Sequence, residues 1–278
     1  MPTTHLNTRP APALHSPTGA ASLQERGHWT REATTASATG APARSAAPLP
    51  IKSWLKTKLK ALISEGEWRA LSNLRIELRI SRLHRQGLKT LRRNGWSRPE
   101  RLNLGSGSDR KPGFLNVDLF PGGDLTLDLR RGLPFASDAT SLIVSEHFFE
   151  HVDYPGPVTQ LLLECFRVLR PGGRFRMSVP DTAWPVEAYV AGADHPYFTA
   201  CKQERWHPDY CQTRAEHLNY HYHQDGEHKF LYDEETARLL LDRTGFIRVA
   251  RCGYDAQLDS PGRKIGSLVM EGFKPGAS

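Results

Sequence analysis

Hydrophobic and polar positions divide the chain into three zones of different character. Residues 1–50 are dominated by Ala, Thr, Pro and Ser and show no apolar period, which predicts a disordered tail. Residues 51–96 repeat apolar side chains at helical spacing, which predicts an arm of two basic amphipathic helices broken near residues 64–67. From residue 97 to 278, short apolar runs alternate with amphipathic stretches, and this pattern predicts one folded domain.

Within that domain the apolar runs have the lengths of strands and the amphipathic stretches have the period of helices. One helix is predicted from Val158 to Leu169, and another begins after Asp233 and ends at Gly245. Strands that alternate with helices and close on a hairpin are typical of an α/β, Rossmann-like doubly wound sheet. The predicted strands are 102–104, a second that ends at Asp118, 124–129, 141–145, 174–181, 247–251 and 266–273.

Positive charge is concentrated in the arm. The chain has 278 residues, a net charge of +7 and a mean hydropathy of −0.51. Residues 51–95 hold 12 Lys or Arg and three acids, so their net charge is 12 − 3 = +9 and that of the remainder is 7 − 9 = −2. The arm is therefore either a helical element packed on the domain or a surface for an anionic membrane or a nucleic acid.

Cysteine usage and hydropathy bear on the compartment. The four cysteines form no CxxC pair, which indicates neither a disulfide framework nor a zinc ribbon. No run of 18 apolar residues occurs, so no transmembrane segment is predicted. We expect a cytoplasmic protein with reduced thiols, and membrane binding by the arm would make it peripheral at the inner membrane face.

A glycine turn followed by a carboxylate is the strongest candidate for a ligand site. Gly105 and Gly107 follow the first strand, and Asp118 ends the second. Glycines let a ligand lie against the backbone, and an acid at the end of the next parallel strand can accept hydrogen bonds from a ribose diol. The dinucleotide pattern G-x-G-x-x-G would need glycine at position 110, which is Arg110. The G-x-x-x-x-G-K-[ST] phosphate loop is also absent.

Several longer motifs resemble class I S-adenosylmethionine-dependent methyltransferases. They are L-G-x-G at 104–107, P-G-F-x-N-V-D at 112–118, S-x-H-x-x-E-H at 145–151, V-L-R-P-G-G-R-F at 168–175 and E-H-K-F-x-Y-D at 227–233. They are similar in particular to a bacterial type 11-like subgroup that often belongs to surface-polysaccharide pathways. The resemblance implies strand order 3-2-1-4-5-7-6 with strand 7 antiparallel, S-adenosylmethionine as cofactor, and O-methylation of a glycan or small metabolite.

The resemblance also implies which residues bind the cofactor. They lie at the carboxyl ends of the first four strands, and Asp128 corresponds to an acid beside the adenine amine. The cofactor-binding candidates are Leu104, Gly105, Ser106, Gly107, Asp118, Leu119, Asp128, Leu129, Glu146 and His147.

A base that deprotonates the acceptor is expected just after the fourth strand. His147 and His151 are the catalytic candidates, and an alternative role for His151 is an orienting contact to the backbone or to Glu150. In residues 182–227 the strand–helix alternation fails and aromatic, His and Cys side chains crowd together. We expect this insertion to form a lid over the acceptor without an apolar core of its own. Its acceptor-binding candidates, with one residue just beyond it, are Arg214, Asn219, His221 and His228.

The Cys and His residues of the insertion raise the question of a metal site, and two other functions are compatible with the sequence. Cys201, His207, Cys211, His217, His221 and His223 are possible ligands, but no pair has structural-zinc spacing, and no metal is predicted. An RNA methyltransferase could use the basic arm, although the chain has no Asn-Pro-Pro-Tyr-like motif. A non-catalytic S-adenosylmethionine-binding adaptor is the other rival. Asp109 at the third family glycine favours the adaptor, and the intact turn and acids oppose it.

Overall fold

The computed structural model describes residues 63–276. The predicted tail and the first helix of the arm lie outside the described residues. Within residues 63–276, no helix combines the length and apolar character needed to cross a membrane.

A seven-stranded mixed sheet forms the centre of the fold, in the order β3-β2-β1-β4-β5-β7-β6. Strands β1 to β5 are parallel, and β7 is antiparallel to both β5 and β6. The predicted strand order and the antiparallel seventh strand are confirmed. The bounds are β1 Arg101–Leu104, β2 Leu115–Asp118, β3 Leu125–Thr126, β4 Thr140–Glu146, β5 Leu169–Pro180, β6 Ile247–Cys252 and β7 Ser267–Phe273.

This topology brings several loops to one edge of the sheet. The carboxyl ends of the parallel strands β1 to β5 meet there, as in other doubly wound folds. Because β6 and β7 are antiparallel neighbours, the loop of residues 253–266 between them lies at the same edge. We call this segment the β6–β7 loop.

In the part of the chain that the structure describes, six α-helices accompany the sheet. Helices α2 and α6 pack on each other and on the strands, because their apolar residues recur on one face. The side chain of Asp233 accepts a hydrogen bond from the backbone N–H of Thr236 at 2.8 Å, and Gly245 ends α6 at a φ of +103°, as predicted. The helices are α1 Glu65–Asn94, α2 Gly156–Val168, α3 Ala183–Ala191, α4 Pro196–Gln203, α5 Arg214–His223 and α6 Glu234–Thr244.

Helix α1 begins at the predicted break and has two different halves. Ser64 and Glu67 form a capping box at its start. In its second half the helix crosses β3 at Gly87, where a Cβ would lie only 1.8 Å from the carbonyl oxygen of Thr126. Its first half instead exposes the side chains of Leu71, Leu74 and Leu78. The second half of α1 is therefore part of the folded core, and the first half extends an apolar stripe into solvent.

Two predicted boundaries differ from the structure for a physical reason. Strand β3 has two residues, because Asp128 caps a 3-10 helix at Leu129–Arg131 where a strand was predicted. Helix α2 ends at Val168, and Leu169 already belongs to β5.

The insertion at residues 182–227 folds into α3, α4 and α5 around a small core of its own. Ala188, Tyr197 and Cys201 are fully buried, with Trp184 and Trp206 packed against them. The expectation that this segment could not build an apolar core was wrong. The large rings fit together because small side chains leave room between them.

Candidate active site

The glycine turn after β1 has one closed face and one open face. Gly105 has a φ of +68°, and a Cβ there would lie 2.4 Å from the ring of Phe148, so only glycine fits. Gly107 has a φ of +52°, and no described atom lies within 4 Å of the position its Cβ would take. The turn therefore presents bare backbone to an open crevice beside β1.

Asp118 is held at the end of β2 by backbone donors. One carboxylate oxygen accepts from the N–H of Gly107 and the other from the N–H of Phe120, both at 2.8 Å. Each oxygen keeps a further lone pair, and Asp118 is only half-buried. Ser106 is buried in the same turn, and its hydroxyl has no hydrogen-bond partner among the described residues. Bare backbone, a half-exposed carboxylate and an unpartnered hydroxyl fit the ribose and amino-acid portions of S-adenosylmethionine.

The remaining apolar candidates line the base of this turn. Leu104 is fully buried, and its carbonyl accepts from the hydroxyl of Ser145 on β4 at 3.0 Å. Leu119 is half-buried beside Asp118, whereas Phe120, which the sequence did not single out, is exposed next to it. An exposed aromatic ring at this position could stack on a base.

Asp128 does not present a free carboxylate to the crevice. It is buried, and its oxygens accept from Arg130 at 2.8 and 3.0 Å and pair with Arg131 at 3.3 Å. Burial raises its pKa, but the guanidinium groups outweigh that effect and hold the pKa below its ordinary value. Leu129 is buried in the core. The structure thus places these two predicted cofactor residues in the cap of a 3-10 helix.

Glu146 joins the loop after the glycine turn to the β6–β7 loop. Its carboxylate lies 2.5 Å from the ammonium nitrogen of Lys111 and accepts from Ser260 through the backbone N–H at 2.9 Å and the hydroxyl at 2.6 Å. The same hydroxyl also bonds the side chain of Asp109. We call Asp109, Lys111, Glu146 and Ser260 the polar clasp. No sequence pattern linked Ser260 to the other three.

His147 has an unusual backbone conformation at the end of β4. Its φ is +48°, in the left-handed region that non-glycine residues seldom adopt. Its Nε2 lies 2.8 Å from the hydroxyl of Ser267, and its Nδ1 lies 3.6 Å from a carboxylate oxygen of Glu150. Burial, and then the charge of Arg263, lower the pKa of His147 well below its ordinary value. The imidazole is therefore neutral near pH 7 and can accept a proton.

A second group of polar side chains lies beside His147. Glu150 is 1% exposed, and burial raises its pKa to about 8. One of its oxygens lies 3.9 Å from Nε2 of His151, and the other has no hydrogen-bond partner among residues 63–276. His151 contacts the backbone carbonyl of Glu227 at 3.1 Å, and its ring meets that of His228 edge-on at 5.2 Å.

Of the predicted acceptor residues, His228 places its ring in this group, and His221 reaches it through a backbone carbonyl 2.8 Å from Nδ1 of His228. His221 lies 3.4 Å from the hydroxyl of Tyr197 in the small core of the insertion. The exposed Arg214 donates to the carbonyl of Tyr189 at 2.7 Å, and the exposed Asn219 donates to its own helix. The structure does not bring Arg214 or Asn219 to the ends of the strands.

A cleft that the sequence did not predict opens beside His147. Its volume is about 410 Å³, and Ser267, the hydrogen-bond partner of His147, is one of its walls. It is assembled from three separate stretches of chain, which explains why no local pattern indicated it. The lining residues are Asp181, Ala183, Trp184, Glu187, Arg251, Lys264, Ile265, Gly266 and Ser267.

Residues 118–177 match the family model described as the methyltransferase domain. The match runs from Asp118 through β4, His147 and α2 into β5. The chain therefore contains a methyltransferase domain, whose cofactor is S-adenosylmethionine. No curated protein is similar enough in sequence to count as a relative of this methyltransferase.

Two solved structures resemble the methyltransferase at a distance. Phosphoethanolamine N-methyltransferase 2 of Haemonchus contortus, solved with S-adenosylmethionine, is 15% identical, with a TM-score of 0.39 over 69% of this chain and 52% of that chain. An S-adenosylmethionine-dependent methyltransferase of Thermotoga maritima is 15% identical, with a TM-score of 0.39 over 74% of this chain and 97% of that chain. Neither likeness is close enough to carry over an acceptor.

Proposed function

We propose that the methyltransferase transfers the methyl group to a hydroxyl of a glycan or small metabolite. One observation carries this proposal: a neutral, half-buried imidazole is hydrogen-bonded to a serine that lines a cleft at the edge of the sheet. His147 and Ser267 are that pair, at 2.8 Å. A hydroxyl acceptor needs a proton acceptor within hydrogen-bond reach, whereas a thioether or a neutral amine has no such need before it attacks.

The chain's own residues would perform three tasks. When bound, S-adenosylmethionine supplies a methyl carbon on a sulfonium sulfur, and the electron pair of the broken C–S bond stays on that sulfur. Gly107 and Asp118 would hold the nucleoside and amino-acid parts. Ser267 would accept the proton of the attacking hydroxyl and pass its own proton to Nε2 of His147, while the acceptor oxygen forms the bond to the methyl carbon.

The composition of the cleft supports a polyhydroxylated acceptor. Trp184 offers a flat apolar face, while Asp181, Glu187 and Arg251 offer hydrogen-bonding groups around it. Arg251 and Asp181 are paired at 2.8 Å, which fixes both groups in position. Mixed aromatic and polar surfaces of this kind bind sugars, whose rings have apolar faces and polar edges.

Isothermal titration calorimetry with S-adenosylmethionine tests the cofactor site assigned here. Asp118→Ala should weaken binding by about 1–3 kcal/mol through lost hydrogen bonds to the ribose and a looser turn. Asp128→Asn is the matched control and should leave affinity unchanged, because Arg130 and Arg131 occupy that carboxylate. Equal losses of affinity in both variants would indicate that Asp128 does contact the adenine. Preference for NAD over S-adenosylmethionine would overturn the assignment.

Transfer of a labelled methyl group to a panel of acceptors tests the proposed chemistry. Mono- and oligosaccharides, other alcohols and primary amines would be compared at equal concentration. We expect label in the hydroxyl-bearing acceptors. Label confined to the amines would overturn O-methylation while leaving the methyltransferase assignment intact.

RNA methylation is the second candidate function, and an exposed basic surface on α1 favours it. Five cations lie exposed on the outer face of the second half of α1, and none is in an ion pair with another described residue. Such a face could bind RNA or an anionic membrane as a polyanion. The five cations, called the α1 basic stripe below, are Arg82, Arg85, Lys89, Arg92 and Arg93.

A further inference from the structure

Glu150, His151 and His228 direct three ligand-type atoms at one point beside His147. One atom from each residue lies within 4.8 Å of the atoms from the other two. The 3.9 Å between the Glu150 oxygen and Nε2 of His151 is too long for a hydrogen bond. Bonds of about 2.1 Å would place two ligand atoms on one cation about 3.0–3.5 Å apart. The observed spacing is thus slightly wider than shared coordination requires.

Backbone carbonyls fix the two rings in the tautomer that a metal ion needs. Nδ1 of His151 lies 3.1 Å from the carbonyl oxygen of Glu227, and Nδ1 of His228 lies 2.8 Å from that of His221. A carbonyl can only accept, so each Nδ1 carries the proton and each Nε2 keeps its lone pair. Histidine ligands in metalloproteins are commonly oriented by this type of contact.

The third side chain has a buried atom without a partner. The second carboxylate oxygen of Glu150 is inaccessible to solvent and accepts no hydrogen bond from any residue in 63–276. This oxygen is not the one that faces His151, so a cation held by both oxygens of the carboxylate would remove the cost of leaving it buried and unpaired. The backbone holds the glutamate against the histidines, because the carbonyl of Glu150 accepts from the N–H of Lys229 at 2.7 Å.

We propose that Glu150, His151 and His228 bind a divalent transition-metal ion. Two imidazoles and one carboxylate with open positions suit zinc or another first-row divalent ion. This metal site does not rest on the proposed O-methyl transfer.

A second Cys/His group is weaker as a metal site. Cys201, His207 and His217 also lie within reach of one point. There, however, the two imidazoles contact each other directly, with their Nδ1 atoms 2.8 Å apart, and the thiol lies 3.8 Å from His207. A donor–acceptor pair of neutral rings explains that arrangement without a metal.

Zinc titration of the chelator-treated full chain tests the site. Calorimetry should show one zinc ion per chain for the wild type. Glu150→Gln, which keeps the shape, and His228→Ala should each weaken binding by at least about 100-fold. His223→Ala removes an exposed histidine of the same segment, His217→Ala disrupts the other group, and both should bind zinc as the wild type does. No zinc uptake by the wild type, or unchanged uptake by Glu150→Gln, overturns the proposal.

Cobalt substitution of the wild type locates the ion without relying on any variant. Visible d–d bands without a thiolate-to-cobalt charge-transfer band support the Glu150 site. A charge-transfer band would place the ion on Cys201 and overturn it. Calorimetry with S-adenosylmethionine on the same samples separates the two proposals. Cofactor binding without metal uptake defeats only the metal site, and metal uptake without cofactor binding defeats only the proposed function.

Discussion

His147 shows how strain at one residue can serve a site. A left-handed backbone at a non-glycine residue costs about 1–3 kcal/mol and persists only where surrounding contacts impose it. Here the N–H of His147 donates to the carbonyl of Ser178 at 2.8 Å, which holds the residue against β5. The result is a ring whose two nitrogens point at different partners, Ser267 on one side and Glu150 on the other.

Replacement of His147 tests its proposed role as the base. His147→Ala should lower kcat by about 10²–10⁴-fold while leaving the affinity for S-adenosylmethionine nearly unchanged. Ser267→Ala should lower kcat less, because a water molecule can replace the hydroxyl in the relay. Single-turnover methyl transfer under saturating acceptor separates this effect from acceptor binding.

Two results would contradict that role. An intact kcat in His147→Ala would move proton acceptance to His151 or show that no base is needed. A large loss of cofactor affinity would show that the ring supports the crevice instead. His223→Ala is the matched control, since it removes an exposed histidine far along the chain from β4.

At the residue scale, the sequence places a side chain well where one short segment contains the whole feature. The glycine turn and His147 directly follow strands and Asp118 ends one, so their place at the sheet edge follows from local pattern. The resemblance alone makes Asp128 an adenine-binding candidate, but Arg130, two residues later, takes its carboxylate. Ser260 and Ser267 reach the site from the far end of the chain, and nothing in their own neighbourhood indicates it.

At the scale of elements, the β6–β7 loop forms a wall of the crevice because it is fastened at two points. The polar clasp ties Ser260 to Glu146 on β4. Arg176 on β5 is buried, pairs with Asp259 and donates to the carbonyl of Gly253 at 2.8 Å. The loop thus spans the sheet edge from β6 back to β1, and its position depends on these charges.

Asp259→Asn tests that fastening. It leaves the guanidinium of Arg176 with only part of its compensating charge, which should reduce the free energy of unfolding by about 3 kcal/mol. Urea denaturation measures the loss, and a weaker affinity for S-adenosylmethionine should accompany it. Asp138→Asn makes the same chemical change at an exposed carboxylate that pairs with Lys274, and it should cost less than about 1 kcal/mol. Equal effects in both variants would refute the fastening.

Element-level prediction depended on periodicity and failed where packing between distant elements decides. The continuous apolar run of β4 and the helical stripe of α2 were sufficient to place both elements within one or two residues. The core of the insertion was missed because it forms between α3 and α4, whose own apolar periods are weak. The division of α1 into two halves follows from its contact with β3, which no pattern along α1 could show.

At the scale of the whole molecule, the positive charge is arranged on one side of α1. The buried residues Ile80, His84 and Leu91 lie on the face toward the sheet. The α1 basic stripe lies on the opposite face, at spacings of three and four residues. Residues 1–62 carry eight bases and two acids, or 8 − 2 = +6, so residues 63–278 carry 7 − 6 = +1. The stripe is therefore a local feature of a nearly neutral unit.

Replacement of the α1 basic stripe by glutamine tests whether this face binds polyanions. The variant with all five residues replaced should lose most of its binding to RNA or to anionic vesicles. Its affinity should also depend less on salt, because each lost phosphate contact reduces the slope of log K against log salt by about 0.7–0.9. Truncation through residue 95 is unsuitable because it would remove Ile80 and Leu91 from the fold. Gel shifts and liposome flotation separate the two polyanions, and calorimetry with S-adenosylmethionine should show an unchanged site. Equal binding by the wild type and the variant at low salt would assign α1 a purely structural role.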